Sequence, residues 1–280
     1  SINRNKVVSL GGLDDILSTS ERSVQSHITK EGYPIGSFYG YKAVGIMSEL
    51  DYKNALKDRE VYLANGSKFP AGYTLQGPAV PSYALDDLSY GNTIWKDVSG
   101  DTNDKTILGN AYPDFTGGFS TSLSWKGFDL GASFTYSYGG EVINFQDYYL
   151  FNVEGSSNQY AIAADRYVSD TNPGRNNVPI ATRISVTNQS LKLSSYYVED
   201  ASYFRCSNIT LGYTLPKRLL RKIGVESCRV YVSGDNLFTI TDYRGYNPEV
   251  SYKSSNLMPG FDWGCYPLSR IYSVGLNLTF

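Results

Sequence analysis

The sequence predicts an all-β protein with antiparallel strands, and three observations support this prediction. The 280 residues include 25 Tyr and 27 Gly with abundant Ser, Thr and Asn, a composition that favours strands joined by many turns. Several segments alternate strictly between apolar and polar residues, as strands with one apolar face do. The connections between these segments are alternately short and long, as in an antiparallel barrel with one trimmed rim.

The first part of the chain contains two candidate strand segments. NRNKVV reads as the tail of an earlier strand, and EGYPIGSFYGYKAVGIM (31–47) reads as a complete strand. Residues 48–114 then form a long insert before the next strand.

A hairpin is predicted in the middle of the chain. In GFSTSLSWK, Phe119, Thr121, Leu123 and Trp125 alternate with Ser and Lys. After a tight turn at Lys126-Gly127, the segment 128–138 places apolar residues on one face and Asp, Gly, Ser and Thr on the other. We therefore expect one apolar face and one face of small polar groups.

A second strand pair is predicted at 203–215 and 229–241. Between them, PKRLLRKIG has Pro216 suited to a first helical position and Gly224 suited to the residue after a helix. We expect one or two turns of helix there.

The chain ends in IYSVGLNLTF, which predicts a final strand from about Leu268 to Phe280. Tyr272, Val274, Leu276, Leu278 and Phe280 fall on one face, with Ser, Gly, Asn and Thr on the other. The last residues of a soluble domain are usually polar and frayed, whereas this terminus is a complete strand that ends on an aromatic residue.

Two architectures fit the alternation: a soluble sandwich with the apolar face inside, and a transmembrane barrel with that face in lipid. No stretch approaches the roughly 20 apolar residues of a membrane-spanning helix, but a barrel strand needs only about 10 alternating residues. Many aromatic residues lie near the predicted strand ends, as at membrane interfaces, which favours the barrel.

The net charge of −2 provides no basic surface for nucleic acid.

Catalytic and metal chemistry have little support. The only histidine, His27, lies in a predicted turn, and the three cysteines are widely spaced. We therefore expect no enzymatic activity, and we expect unpaired cysteines that serve packing.

The segment KDVSGDTNDKT offers oxygen ligands at nearly alternate positions, as calcium loops do. A Ca²⁺ site here would use Asp97, Ser99, Asp101, Asn103 and Asp104. Thr102 replaces the expected turn glycine, however, and an acidic solvated loop is the alternative.

The long connections contain aromatic residues with two possible roles. They could stack on sugar rings or a partner protein, or they could pack the loops. These residues are Tyr148, Tyr149, Phe151, Tyr160 and Tyr196.

Several blocks together resemble one protein family. YVEDASYFRCSNITLGYTLPKRLLRKIGVESCRVYVSGDNLFTITDYRGYNPEV and FDWGCYPLSRIYSVGLNLTF resemble the C-terminal part of SusC/RagA-type TonB-dependent transporters of the Bacteroidetes outer membrane. GYPIGSFYGYKAVGIM and residues 109–120 resemble upstream blocks of that family, in the same order.

The resemblance implies that residues 1–280 are the C-terminal portion of a transmembrane barrel of about 22 strands. The N-terminal plug and the remaining strands would lie outside this chain, and TonB would act through that missing part. A SusD-like surface lipoprotein would close the extracellular mouth during import of oligosaccharides or peptides. The terminal strand, with Tyr272, Leu276, Leu278 and Phe280, would be the signal for assembly into the outer membrane.

The predicted strand count is six complete strands and the tail of a seventh. With Phe280 at the periplasmic rim, residues 216–228, 126–127 and about 9–27 would be periplasmic. The long segments 48–114, 139–201 and 242–267 would be extracellular. A soluble, aromatic-rich, carbohydrate-binding β-sandwich is the alternative function.

Overall fold

The computed structural model describes residues 1–18, 24–79, 89–96, 105–151, 153, 158–175, 178–181, 192–221, 224–250 and 255–280. The strands before the central hairpin are β1 (Ile16–Leu17), β2 (His27–Thr29), β3 (Ser37–Tyr41), β4 (Ala43–Ile46), β5 (Thr93–Trp95) and β6 (Lys105–Gly109). The later strands are β7 (Phe115–Trp125), β8 (Phe128–Tyr138), β9 (Glu141–Asn144), β10 (Val198–Asp200), β11 (Tyr203–Thr214), β12 (Ser227–Thr241), β13 (Phe261–Asp262) and β14 (Ile271–Thr279). The helices are α1 (Glu49–Ala64), α2 (Asp147–Leu150) and α3 (Lys217–Leu220), with short 3₁₀ turns at Ala161–Asp165 and Ser195–Tyr197.

A five-stranded antiparallel sheet contains the longest strands, in the order β14-β12-β11-β8-β7. The β7–β8 connection is the predicted two-residue turn, in which Lys126 (φ 48°) and Gly127 (φ 90°) both have left-handed backbones. Two positive φ values match the right-handed twist of the flanking strands. The five strands that the sequence predicts here are confirmed, with ends that differ by a few residues.

The register of this sheet aligns apolar residues across all five strands. Leu130 lies opposite both Leu123 and Leu211, Leu211 opposite Val232, and Val232 opposite Val274. A second such row consists of Trp125, Phe128, Tyr213, Val230 and Leu276. Because side chains alternate between the faces of a strand, the intervening small polar residues form the opposite face.

The apolar rows are not covered by a second layer in the described part of the chain. Leu123 is 62% exposed and Val274 is 77% exposed. A soluble sandwich requires these side chains to be buried. Nor do the described strands close into a barrel, because β14 and β7 lie at opposite edges of the sheet.

The hydrophobic core lies in the long connections and not on the sheet. We call the described parts of residues 16–114, 139–202 and 242–270 the loop body. Its largest cluster of buried residues consists of Phe38, Ile143, Phe145, Tyr148, Leu193, Tyr197 and Phe261. Three small sheets frame it, in the orders β1-β2-β3-β6, β4-β5 and β10-β9-β13. The three long segments therefore fold together at the end of the sheet opposite the short turns.

The prediction of one full strand at 31–47 is wrong. This segment forms two short strands, of which β3 joins β2 and β6 in the loop body and β4 pairs with β5. The end of β3 runs beside Leu193, whose carbonyl oxygen accepts from the Tyr41 backbone N–H and would lie 2.5 Å from a Cβ on Gly40. The large sheet therefore has five complete strands and not six.

The first residues of the chain pair with the free side of β7. Ile2 lies opposite Phe115, and the backbone N–H of Thr116 donates to the carbonyl oxygen of Ser1 at 2.9 Å. The strand tail predicted at NRNKVV is wrong, because none of residues 3–8 is part of a strand and the bridge lies just before them, at Ile2.

The prediction that residues 9–27 lie at the same end of the sheet as the two short turns is also wrong for the described residues 16–18 and 24–27. Strands β1 and β2 pair with each other, and β2 pairs with the buried strand β3 in the loop body. Burial of Ile28 and His27 holds this segment at the long-connection end of the sheet.

Helix α1 is an element that the apolar periodicity did not reveal. Its apolar residues are spread around the helix and not gathered on one side, so it has no apolar stripe. A capping box begins it, in which the Ser48 side chain accepts from the Asp51 backbone N–H and the Asp51 side chain accepts from that of Ser48. No helix among the described residues is long and apolar enough to cross a membrane.

Helix α3 confirms the helix predicted between the second pair of strands. Pro216 is its N-cap residue and not its first helical residue, and Gly224 has the expected positive φ of 71°. All three cysteines are free, with Cys206 and Cys228 buried.

Candidate functional site

Aromatic side chains border the apolar face of the five-stranded sheet at both ends. At the short-turn end, the rings of Phe128 and Tyr213 lie 4.5 Å apart, next to Trp125. At the other end, Phe115 stacks on Tyr138 at 5.0 Å. Ten residues of strand span about 33 Å, and a tilt near 40° reduces this to the roughly 25 Å of a membrane-spanning apolar band.

The polar face contains an ion pair that crosses an intervening strand. Arg229 on β12 donates from Nε to Oδ1 of Asp129 on β8 at 2.9 Å, and from Nη2 to Oδ2 at 2.5 Å. Gly212 lies between them on β11, and a Cβ there would be 2.5 Å from Nη2. The guanidinium also lies 5.0 Å from the centre of the Tyr231 ring. Glycine thus lets long polar side chains lie flat along this face.

The terminal strand presents the predicted assembly residues on the apolar face. Leu276 and Leu278 lie opposite Val230 and Cys228, and Tyr272 lies opposite Gly234. Phe280, at the short-turn end, is 84% exposed. Tyr272, Leu276 and Leu278 thus lie on the same face of β14. The role of these residues and of Phe280 in assembly stays a prediction.

The predicted calcium ligands lie outside the described residues. Asp97, Ser99, Asp101, Asn103 and Asp104 belong to the segment between β5 and β6, and the site stays a prediction.

The single histidine lies in strand β2 of the loop body and not in the turn predicted from the sequence. His27 is fully buried, with Nε2 2.9 Å from the carbonyl oxygen of Pro259 and Nδ1 2.7 Å from Oγ of Ser26. Burial lowers its pKa to about 4. The side chain is therefore a neutral structural link between distant segments.

The loop aromatics have mainly a packing role. Tyr148 is buried and stacks on Phe145 at 4.7 Å, and Phe151 is buried in a second cluster. Tyr149 and Tyr196 are half-buried, and burial raises the pKa of Tyr196 to about 12. Tyr160 differs from the other four because it is exposed.

Tyr160 borders a cavity of about 470 Å³ in the loop body. The cavity brings together three segments that are far apart in the sequence: the start of α2, the 3₁₀ turn after it and the connection before β14. Its walls consist of Asn144, Gln146, Asp147, Tyr160, Ala161, Ile162, Arg244, Gly245 and Tyr246.

A network of charged groups lies behind this cavity. Arg244 donates to Oε1 of Glu199 from Nε at 3.1 Å and from Nη2 at 2.6 Å. Its Nη2 also lies 2.6 Å from Oδ2 of Asp147. On the far side, Tyr243 donates to Oδ2 of Asp262 at 2.5 Å. Four segments are tied together here.

Burial sets the protonation behaviour of the network. Burial raises the pKa of Asp147 to about 6, against the opposing charge of Arg244 and with the help of Glu199 and Asp262. Burial tends to lower the pKa of Arg244, but its hydrogen bond to Glu199 and the carboxylate charges raise it overall. Burial and the hydrogen bond to Asp262 raise the pKa of Tyr243. Asp147 therefore changes its charge close to neutral pH.

Sequence reasoning missed this cavity. Asp147, Glu199, Arg244 and Asp262 come from four segments, and none belongs to a short motif. The only signal was the number of Tyr, Asn and Asp residues in the long connections.

Comparison with known proteins gives the class of this chain. No family model matches it. TonB-dependent receptor P3 of Formosa agariphila is 36% identical over 295 residues, covering 100% of this chain and 26% of that receptor. TonB-dependent receptor SusC of Bacteroides thetaiotaomicron is 28% identical over 290 residues, covering 99% of this chain and 23% of SusC.

Comparison with solved structures points to the same class of protein. The RagAB peptide transporter superposes with a TM-score of 0.66 at 25% identity, over 97% of this chain and 25% of that chain. The RagAB peptide importer in its closed-closed state gives a TM-score of 0.62 at 26% identity, over 96% of this chain and 25% of that chain.

The chain is therefore homologous to TonB-dependent receptors. Within that class it is of the SusC/RagA type, and it spans about a quarter of the length of its relatives. Homology to transporters implies a non-enzymatic role.

Proposed function

We propose that residues 1–280 form the C-terminal portion of the transmembrane barrel of an outer-membrane TonB-dependent importer. The remaining strands and the plug belong to the rest of that receptor. The cargo is an oligosaccharide or a peptide, and the similarity to the RagAB peptide transporter supports the peptide class.

The two-faced five-stranded sheet is the observation that carries this proposal. Its apolar rows extend over five strands and are exposed, as a surface in contact with lipid is. The opposite face carries Ser, Thr and Gly with the Asp129–Arg229 pair, which suits a water-filled lumen. A sheet that is apolar on one face and hydrated on the other fits a wide barrel wall.

The loop body supports the proposed orientation. The turns at 126–127 and 215–226 are short, whereas the connections at the other end of the sheet fold into a structure with its own core. Transmembrane barrels have short periplasmic turns and longer extracellular loops. We therefore place the loop body outside the cell and Phe280 at the periplasmic rim.

A SusD-like lipoprotein is the partner that we propose for the loop body. A RagB-type subunit is part of the RagAB complex named above. The loop body is prefolded around buried aromatic residues, so it offers a rigid platform for a lid that opens and closes. TonB would act through the receptor's plug, outside residues 1–280.

The test uses the full-length receptor with an affinity tag. We expect it in the outer-membrane fraction, with faster gel migration before boiling than after, and we expect a SusD-like lipoprotein to copurify in mild detergent. A matched preparation from a strain with an untagged receptor controls for nonspecific capture. A soluble, heat-indifferent product would favour the carbohydrate-binding sandwich instead. A membrane-inserted receptor that purifies without a SusD-like lipoprotein would contradict the proposed lid.

A further inference from the structure

We propose that the 470 Å³ cavity of the loop body is a subsite for a ligand group with a positively charged nitrogen, an ammonium or a guanidinium. Its role as a cargo subsite rests on the proposed import function. Binding itself is measured without transport, so the two proposals can fail separately.

The Asp147 carboxylate is the first reason. Asp147 is 2% exposed and lines the cavity. Its Oδ2 forms the ion pair with Arg244 but accepts no hydrogen bond of proper geometry from the described residues. A carboxylate has about four acceptor sites, and a buried acceptor without a donor is destabilising. A cation in the cavity would lie beside this carboxylate and compensate its charge.

The alignment of Arg244 explains why Asp147 is short of donors. Glu199 accepts from Nε and Nη2 through one oxygen and from the Arg244 backbone N–H at 3.0 Å through the other. Two donors on one partner fix the plane of the guanidinium. The arginine is therefore oriented toward Glu199, and Asp147 shares its charge without a well-directed hydrogen bond.

The balance of charge is the second reason. Asp147 and Glu199 contact the guanidinium of Arg244, and Asp262 is a third carboxylate close enough to act on Asp147. Asp262 is stabilised locally by Tyr243 and by the backbone N–H groups of Gly264 and Cys265, both at 2.8 Å. At neutral pH the network is therefore negative overall, and the low-dielectric surroundings strengthen its attraction for a cation.

The walls of the cavity are the third reason. Tyr160 is 43% exposed and Tyr246 is 69% exposed, and both line the cavity beside Asp147. Aromatic rings stabilise cations through their faces. Carboxylate and tyrosine groups together suit an amine or a guanidinium better than a neutral hydroxyl group.

The pH dependence follows from the groups that face Asp147. These groups are Arg244, Glu199, Asp262 and Tyr160. Burial raises the pKa of Asp147 to about 6. A cation binds the ionised carboxylate, so affinity should fall as the pH drops below about 6.

The experiment uses the full-length receptor in detergent, with cadaverine as the probe and 1,5-pentanediol as its neutral match. Binding is measured by saturation-transfer NMR and calorimetry at pH 7.5 and pH 5. We expect the receptor to bind cadaverine and not the diol at pH 7.5, with clearly weaker binding at pH 5. Asp147→Asn should weaken binding about tenfold or more, the loss typical of a charged contact.

Two further variants make the result decisive. Tyr246→Ala changes an exposed side chain that folding does not require, and it should weaken binding severalfold even where Asp147→Asn is poorly folded. Asp165→Asn removes an exposed carboxylate that pairs with Arg175 at 3.9 Å, away from the cavity walls, and should change nothing. Equal binding of amine and diol, or cadaverine binding indifferent to both cavity variants, would overturn the subsite. Loss of import with cadaverine binding intact would count against the import function alone.

Discussion

His27 and Pro259 are joined by a hydrogen bond of 2.9 Å across 232 residues of sequence. A carbonyl oxygen can only accept, so Nε2 of His27 carries the proton and Nδ1 accepts from the Ser26 hydroxyl. The ring lies edge-on to Phe38 at 5.3 Å and 5.9 Å from Phe261. This neutral histidine therefore ties strand β2 to the segment before β13 at the centre of the loop body.

The loop body should loosen on acidification because of His27. Its pKa falls from 6.5 to about 4 on folding, so its contribution is present above pH 6.5 and is lost as the pH falls toward 4. A difference of this size amounts to about 3 kcal/mol at most. Hydrogen exchange in 24–41 and 259–262 should therefore accelerate between pH 6.5 and pH 4, after correction for intrinsic rates.

Variants separate this effect from general acid sensitivity. His27→Phe should raise exchange in 259–262 at neutral pH and remove the acid-dependent step. Lys30→Gln, which breaks an exposed ion pair with Asp15 on the same segment, is the control and should retain that step. An unchanged acid step in His27→Phe would assign it to other groups.

The strands of the large sheet could be predicted from the sequence, whereas the fold of the loop body could not. Alternation identifies a strand when one face is apolar and the other polar, as in 128–138. Strand β3 has both faces in contact with protein, with Ser37 and Phe38 fully buried side by side, so its pattern carries no such contrast. Helix α1 has no apolar stripe, and only Ser48 and Asp51 mark its start.

The candidate cavity could not be predicted for a different reason. Its residues meet because the long connections fold on each other, and contacts such as Asp147 with Arg244 span nearly a hundred residues. Local composition does not specify such contacts. The family resemblance gave the class of protein without giving this geometry.

The two faces of β12 should differ in their contact with lipid. Val232 lies in the apolar row, and Ser233 lies opposite Ser273 and Thr210 on the other face. In vesicles of lipid with brominated acyl chains, a tryptophan at Val232→Trp should be quenched, and one at Ser233→Trp should not. The signal of the introduced tryptophan is the fluorescence of each variant minus that of the native receptor. Equal quenching at both positions would contradict a barrel wall with one lipid-facing side.

Two glycines on the polar face should respond differently to alanine. A Cβ at Gly212 would lie within 2.6 Å of Asp129 and Arg229, whereas a Cβ at Gly131 would meet nothing within 4 Å. Gly212→Ala should displace the ion pair and cost about 1 kcal/mol, within the range of ordinary single substitutions. Gly131→Ala is the matched control on a neighbouring strand. Urea unfolding of the reconstituted receptor measures both, and equal midpoints would show that the pair does not depend on Gly212.

The final prediction concerns the end of the chain. Phe280 follows β14 at the short-turn end of the sheet and is 84% exposed, so it contributes little to packing within the described residues. Tyr272, Leu276 and Leu278 lie on the apolar face of β14, and the alternation of the sequence continues to Phe280. The family resemblance implies that the outer-membrane assembly machinery reads this segment.

Phe280→Asp should therefore lower the amount of assembled receptor severalfold without changing its synthesis. The measurements are total receptor by immunoblot, surface receptor by labelling of intact cells, and gel migration before and after boiling. Asn277→Asp is the matched control, because it adds the same charge to the same strand on the polar face, opposite Arg229. Assembly should fall for Phe280→Asp and stay near normal for Asn277→Asp. Equal assembly of both variants would mean that the assembly machinery does not recognise the terminal aromatic residue.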